Sequence, residues 1–311
     1  MTRHFLRDDD LTSAEQAEVL ALAKKIKVDR FQEQPLAGPR TIALLFDKPT
    51  LRTQVSFTAG VSELGGFPLV LDTRLAKIGD RESIADTARV LGRQVSAIVW
   101  RTFEQSRLEE MAAYAGVPVV NALTDQFHPC QLLADLQTIE EHMGRLAGLT
   151  VTFLGDAASN MAHSYLLAGA TAGMHVRVSG PVGFEPDGDV LATAQRIAST
   201  TGGSAVYLAD PKKAVTGVDV LVTDTWVSMG KEAEADTRTA PLAPYAVTED
   251  LLAHANDDAI VLHCLPAYRG KEISASVIDG PRSVVWDEAE NRLHAQKALL
   301  TWLLKHEGVD S

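Results

Sequence analysis

The stretch Thr41-Ile42-Ala43-Leu44-Leu45-Phe46-Asp47-Lys48-Pro49-Thr50-Leu51-Arg52-Thr53-Gln54 changes character at its middle. Up to Phe46 it is a short, continuous apolar run, the pattern of a strand buried on both faces. Beyond Pro49, the residues Val55, Phe57, Val61 and Leu64 recur with helical spacing. A helix that starts directly after a strand presents unpaired amides and a partial positive charge, so a phosphate is a natural guest there. Thr50 and Thr53 add hydroxyl donors, and Arg52 adds a forked cation suited to phosphate oxygens. Taken alone, the stretch also fits a capped helix with a surface arginine. The recurrence of similar polar clusters at later strand ends favours the anion site.

Working outward, an opening helix is signalled by Thr12 or Ser13 as cap, Glu15 or Gln16 three residues on, and then Val19, Leu20, Ala23 and Ile26. Further strands are predicted at 68–71, 97–100, 117–120, 151–154, 175–178, 205–208, 220–222, 259–262 and 283–286. Helical runs lie between most of them. This alternation predicts an α/β chain with two doubly wound parallel-sheet domains and an active site in the cleft between them. The division is placed near Met143–Gly148, after a long helix beyond Pro129. That gives domains of 1–145 and 146–287, and a C-terminal helix in 288–311 expected to pack back on the first domain. Residues 227–248, rich in Glu, Ala, Thr and Pro, read as a long functional loop.

Composition narrows the classes. A chain of 311 residues that is 46% hydrophobic can bury a large core. Its formal charge of −12 argues against a nucleic-acid partner. No apolar run approaches the ~18 residues of a membrane span, and the first ten residues lack the apolar centre of a signal peptide. Only Cys130 and Cys264 are present, which suits a reducing compartment. A soluble, cytoplasmic protein without membrane contact is the expectation.

Ligands of open α/β sheets bind beyond the carboxyl ends of strands, and five strand ends here carry useful chemistry. They are Arg101-Thr102; Asn121 to Gln131, with His128-Pro129-Cys130-Gln131; Gly155 to Ser164, with Asn160; Thr223-Asp224 to Gly230; and His263-Cys264-Leu265-Pro266-Ala267. His128 before Pro129 also fits a plain helix start, and Cys130 fits a small buried hydrophobe. The H-P-C and H-C spacings do not match zinc pairs, and neighbouring strand residues point to opposite faces; no metal site is predicted. Gly155-Asp156-Ala157-Ala158 lacks the second glycine of a dinucleotide fingerprint. Asp224, an acid ending an apolar strand, calls for a cationic partner.

These clusters, in this order and over essentially the whole chain, resemble the aspartate/ornithine carbamoyltransferase family. Phe46–Thr53 resembles its carbamoyl-phosphate loop, and His128-Pro129-Cys130-Gln131 its H-P-x-Q motif. Asp224 with Ser228-Met229-Gly230, and His263-Cys264-Leu265-Pro266-Ala267, resemble the ornithine-specific motifs. The resemblance implies transfer of the carbamoyl group of carbamoyl phosphate to the δ-amine of L-ornithine, giving citrulline in arginine metabolism. It also implies a homotrimer, open to further stacking, with sites at subunit boundaries and no metal or organic cofactor. Position by position, it implies that Thr50, the Leu51 backbone, Arg52 and Thr53 hold the phosphate, with Arg101 bridging phosphate and carbonyl. His128 and Gln131 would bind the carbamoyl group, and Arg292 would approach its oxygen. Asn160, Asp224, Ser228 and the Met229 backbone would fix ornithine's α-groups, and Cys264 and the Leu265 carbonyl would face its δ-amine.

Two departures stand out. The family's commonest loop is S-T-R-T-R, where this chain has Thr50-Leu51-Arg52-Thr53-Gln54. Lys77 stands where ornithine enzymes usually have a glutamine from the neighbouring subunit, and a lysine there is more typical of the aspartate enzymes. A carbamoyltransferase for putrescine or an acylated ornithine is the alternative within the family. Asp224 argues against an acylated α-amine, and Asn160 with Ser228-Met229 argues for a carboxylate that putrescine lacks. A ligand-binding paralogue without activity is the alternative outside the enzyme class.

Overall fold

Thr41–Phe46 forms strand β1, and five of its six residues are buried, as a strand covered on both faces requires. The structure is a computed structural model, and it describes residues 2–72, 78–227 and 235–306. Contacts divide the chain into two units, one of Met1–Gln137 with Glu290–Ser311, the other of Thr138–Ala289.

In the first unit β1 is joined by β2 (Phe67–Asp72), β3 (Ala97–Arg101) and β4 (Val119–Leu123), all parallel, in the order β2-β1-β3-β4. The chain steps outward from β1 to β2 and then returns to the other side of β1. The strand order therefore reverses between β1 and β3, and such a switch point leaves a crevice at the carboxyl ends. Ala43, Leu45, Ile98 and Trp100 project from the sheet into a core shared with Leu108 and Met111 of the helix Gln105–Ala115. Phe5 adds a short bridge to the outer edge of β4, donating to the Val119 carbonyl at 2.9 Å and accepting from Asn121 at 2.8 Å. That edge is thereby covered. The opening helix runs Ser13–Val28 with Thr12 as its cap and Glu15 completing the capping box.

The second unit repeats the plan. β5 (Thr150–Leu154), β6 (His175–Ser179), β7 (Ser204–Tyr207), β8 (Val220–Thr223) and β9 (Ile260–His263) are parallel in the order β7-β6-β5-β8-β9. Here the reversal lies between β5 and β8. Leu154, Leu221 and Val261 pack with Val247, Ile273 and Val277 in its core. Among the described residues, no helix is long and apolar enough to cross a membrane.

Two expectations are corrected. Ser283–Trp286 is not a strand: Ser283 makes only an isolated bridge to Val261, and Val285 begins the helix Val285–Lys305. The acids Asp287 and Glu288 in its first turn complement the helix dipole, and they outweigh the β-preference of the Val-Val-Trp run. Within 227–248, the residues Ala235–Leu242 are helical and Ala243–Tyr245 form a 3-10 turn, so that segment is not a continuous loop.

Candidate active site

β1 and β3, the strands flanking the first switch point, deliver the first cluster. The Asp47 amide donates to the Arg101 carbonyl at 2.9 Å, and the Thr102 hydroxyl donates to the Asp47 carboxylate, so the two strand ends are tied together. The register against β4 shifts between Trp100 and Arg101, which re-aims the buried Arg101 side chain. The helix Arg52–Glu63 follows β1 after five residues, with Leu51 at its N-cap. Leu51 has no side-chain acceptor for the first-turn amides, which suits a site for an external anion. A cavity of about 170 Å³ opens at the ends of β1 and β2, lined by Lys48, Thr50, Gln54 and Asp72 among others. Lys48 is itself engaged, paired with Asp125 and lying 4.6 Å from the centre of the Phe103 ring.

His128 precedes the helix Pro129–Met143, and its carbonyl accepts from Gln131 at 3.0 Å. It is thus both the helix start read from Pro129 and a member of the cluster. Burial is the main reason its imidazole is held well below the usual histidine range, and the charges of Arg292, Arg101 and Arg52 push in the same direction. The charges of three guanidiniums thus act on one ring. Arg292, on the Val285–Lys305 helix, donates to the Gln131 side-chain oxygen Oε1 at 2.5 Å and to the Thr53 hydroxyl at 3.3 Å. With the Gln296 amide turned to face it, Arg292 also has that oxygen at 3.0 Å, while the Gln296 nitrogen reaches Ser56 at 2.7 Å. Gln131 in turn donates to Asp135 at 2.8 Å. Arg292 therefore holds Thr53 and Gln131 in place as well as contributing charge. A dianion carrying an adjacent carbonyl is what such a cluster suits. Cys130 faces elsewhere: its thiol donates to the Asn121 carbonyl at 3.2 Å, and burial pushes it up to about 12.

In the second unit, β5 and β8 flank the switch point. β5 leads through Gly155 and Asp156 to Ser159, which caps the helix Asn160–Thr171 by accepting from Ala162 at 3.3 Å. Asn160 opens that helix and is half-buried. β8 ends in Asp224, whose carboxylate accepts from the Thr225 amide at 2.7 Å and from the Cys264 thiol at 3.1 Å. Loss of water raises the Asp224 carboxyl above the usual range, with a smaller push from Glu272. The neighbouring His263 and the bonds from Cys264 and Thr225 pull it back in part. Among the described residues, no lysine or arginine pairs with Asp224.

Beyond β9 the backbone of Leu265 is left-handed, with φ of 58°, a strained conformation for a branched side chain. The turn is held by His263, whose Nδ1 accepts from the Leu265 amide at 2.9 Å and whose Nε2 lies 3.2 Å from Glu272. The expectation that His263 and Cys264 diverge is corrected, because the strand ends at His263 and its alternation stops there. Donor atoms of Asp224, His263 and Cys264 lie within 4.8 Å of one another. Both ring nitrogens of His263 and the thiol of Cys264 are already engaged, so a metal would have to displace those bonds. Lys77, Ser228 and Met229 lie outside the described residues.

Sequence reading missed Gln296, Glu272 and Arg238. Gln296 stands four residues after Arg292 on one helix, a spacing that places both on the same face. Glu272 and Arg238 have no such local signal.

The family described as aspartate/ornithine carbamoyltransferase, carbamoyl-P binding domain, matches residues 3–141, and its Asp/Orn binding domain matches residues 147–303. An ornithine carbamoyltransferase of Clavibacter sepedonicus is 66% identical over 98% of this chain and 99% of its own length. One from Leifsonia xyli is 60% identical over the full length of both. Among solved structures, an ornithine carbamoyltransferase from Pyrococcus furiosus covers 98% of each chain at 45% identity, with a TM-score of 0.94. A variant N-acetyl-L-ornithine transcarbamylase is more distant, at 31% identity and a TM-score of 0.84.

Proposed function

The chain belongs to the aspartate/ornithine carbamoyltransferase family, and from that premise we propose that it transfers the carbamoyl group of carbamoyl phosphate to the δ-amine of L-ornithine, giving L-citrulline and phosphate. The observation that carries this reading is the bonding of Arg292 to Gln131 and Thr53 beside His128, on which the charges of Arg292, Arg101 and Arg52 all act. It is complemented by the desolvated carboxylate of Asp224, which suits an α-ammonium. The full-length relatives named ornithine carbamoyltransferase support the same substrate.

Thr50, the Leu51 amide, Arg52 and Thr53 hold the phosphate, and Arg101 spans phosphate and carbonyl oxygen. His128 and Gln131, the latter fixed by Arg292, bind the carbamoyl group. Asn160, Asp224, Ser228 and Met229 hold the α-carboxylate and α-ammonium, and Cys264 and the Leu265 carbonyl face the δ-amine. The amine must be neutral to attack. With a pKa of ~10.4, its deprotonation at pH 7 costs roughly 4.6 kcal/mol, and a low-dielectric site lowers that cost. Its lone pair then forms the C–N bond, and the carbonyl oxygen takes up negative charge against Arg101 and His128. The C–O bond to phosphate breaks, and the departing phosphate accepts the amine proton. No separate base is needed.

A homotrimer fits the exposed apolar surface at the β2 edge and the adjoining helix, where Leu51, Val55, Phe67 and Val70 are 71, 56, 53 and 37% exposed. β2 ends five residues before Lys77 in sequence, the lysine that would complete a neighbour's phosphate site. Two free cysteines fit a cytoplasmic setting, and an activated carbamoyl donor fits the arginine-forming direction. The test is a panel of amines offered with carbamoyl phosphate to chelator-treated protein. L-Ornithine is carbamoylated, whereas putrescine and N-acetylornithine are poor acceptors; preference for either of these would overturn the assignment.

A further inference from the structure

Arg238 lies in the helix Ala235–Leu242, outside the residues assigned to either substrate. Its guanidinium bridges two loops of the second unit. One amino group pairs with the Asp156 carboxylate, and Nε donates to the Trp226 carbonyl at 3.0 Å. The face of the guanidinium lies 5.1 Å from the centre of the Phe184 ring. The pair is shielded, with side-chain exposures of 18% for Arg238 and 15% for Asp156. Asp156 is held in turn, since it accepts from the Ala158 amide at 3.1 Å.

The joined loops are the two at the β5/β8 switch point. Asp156 stands four residues before Asn160, and Trp226 stands two residues after Asp224. The same loops also meet through Gly155, with φ of 127°, where an added Cβ would lie 3.3 Å from the Trp226 indole nitrogen. A glycine admits the ring, and a cation locks the seam. Trp226 and Arg238 also flank residues 228–234, which include the candidates Ser228 and Met229. A planar fork can satisfy a carboxylate and a carbonyl at once, whereas a lysine ammonium acts as a single point charge.

We propose that Arg238 is a positioning residue that ties the loop of Asn160 to the loop of Asp224, so that the α-carboxylate and α-ammonium of the amino-acid substrate meet partners at a fixed separation. The inference rests on the assignment of those loops to ornithine. It predicts that damage at Arg238 is confined to ligands carrying both α-groups.

The experiment compares the parent with Arg238→Lys, Arg238→Gln, Asp156→Asn and the Arg238→Gln/Asp156→Asn double variant. Readouts are both Michaelis constants, inhibition by L-norvaline and by putrescine, and the thermal midpoint. Norvaline keeps both α-groups and lacks the δ-amine; putrescine lacks the carboxylate. Arg238→Gln is expected to weaken ornithine and norvaline about tenfold or more, the usual range for losing bonds to charged groups. The carbamoyl-phosphate constant and putrescine inhibition stay within about twofold, and Arg238→Lys recovers part of the loss. The double variant is no worse than the poorer single one, because the two act through one bond. An unchanged ornithine constant, or equal weakening of both substrates at an unchanged thermal midpoint, overturns the proposal. If Arg238→Gln fails to fold, Arg238→Lys and Asp156→Asn decide by the same split. Failure of the ornithine assignment is separable, since the parent itself would then make no citrulline.

Discussion

In the first unit the charges of Arg52, Arg101 and Arg292 act on the buried ring of His128, whereas the second withdraws the carboxylate of Asp224 from water beside a thiol. The two clusters are opposite in charge and also in how they are held. Arg292 is bonded to Gln131 and Thr53, and β1 and β3 are tied through Asp47, so the cationic cluster is fixed before any ligand arrives. Among the described residues, Asp224 takes the Thr225 amide and the Cys264 thiol, and a cation beside it would relieve its unfavourable burial. The lesson is a division of labour. Preorganised donors suit charge that develops at a carbonyl, and a desolvated acid suits a cationic group.

Replacing Arg101 with alanine should break the first half hardest. Losing one donor to a developing oxyanion costs ~2.7–4 kcal/mol, or about 10²–10³ in turnover. Steady-state rates at saturating substrates measure it, and parent-like turnover would place Arg101 outside the reaction. Asp224→Asn should affect the other half and spare the first. A charge-assisted bond becomes a neutral one, a loss on the order of 1–2 kcal/mol in ornithine binding. The carbamoyl-phosphate constant should hold, and the thermal midpoint of the ligand-free protein should not fall, because a desolvated charge has gone. A matching rise in both constants contradicts the division.

The smallest effect sharpens the electrostatic contrast. The folded state holds His128 below its unfolded pKa of about 6.5, so the unfolded chain binds the proton first as pH falls. Its contribution to stability is full above about pH 6.5 and is lost toward the depressed value. Urea midpoints of parent and His128→Gln should therefore converge between pH 7.5 and 5.5; a gap that widens on acidification would show a charged imidazole.

Much of this contrast can be read along the chain, because the strand ends carry their chemistry in contiguous runs. Strand, turn and helix are local at Thr41–Gln54, and so is the helix start at His128-Pro129. The register by which β1 and β3 flank one switch point is not local, nor is the bond of Arg292 to Gln131, 161 residues away in sequence. The Asp156–Arg238 bridge was hidden for a further reason. Ala235–Leu242 contains Asp, two threonines and Pro241, poor helix formers whose composition reads as loop. At Ser283–Trp286 the β-branched run misled, since first-turn acids and the bond from the His263 amide to Glu288 at 2.8 Å favour a helix.

The most direct measurement follows both products from one reaction: chelator-treated protein with carbamoyl phosphate and L-ornithine, citrulline and phosphate counted across pH 6–9. The proposed transfer yields one citrulline for each phosphate above the spontaneous background. Phosphate released without citrulline, or no turnover at any pH in that range, would contradict carbamoyl transfer to ornithine.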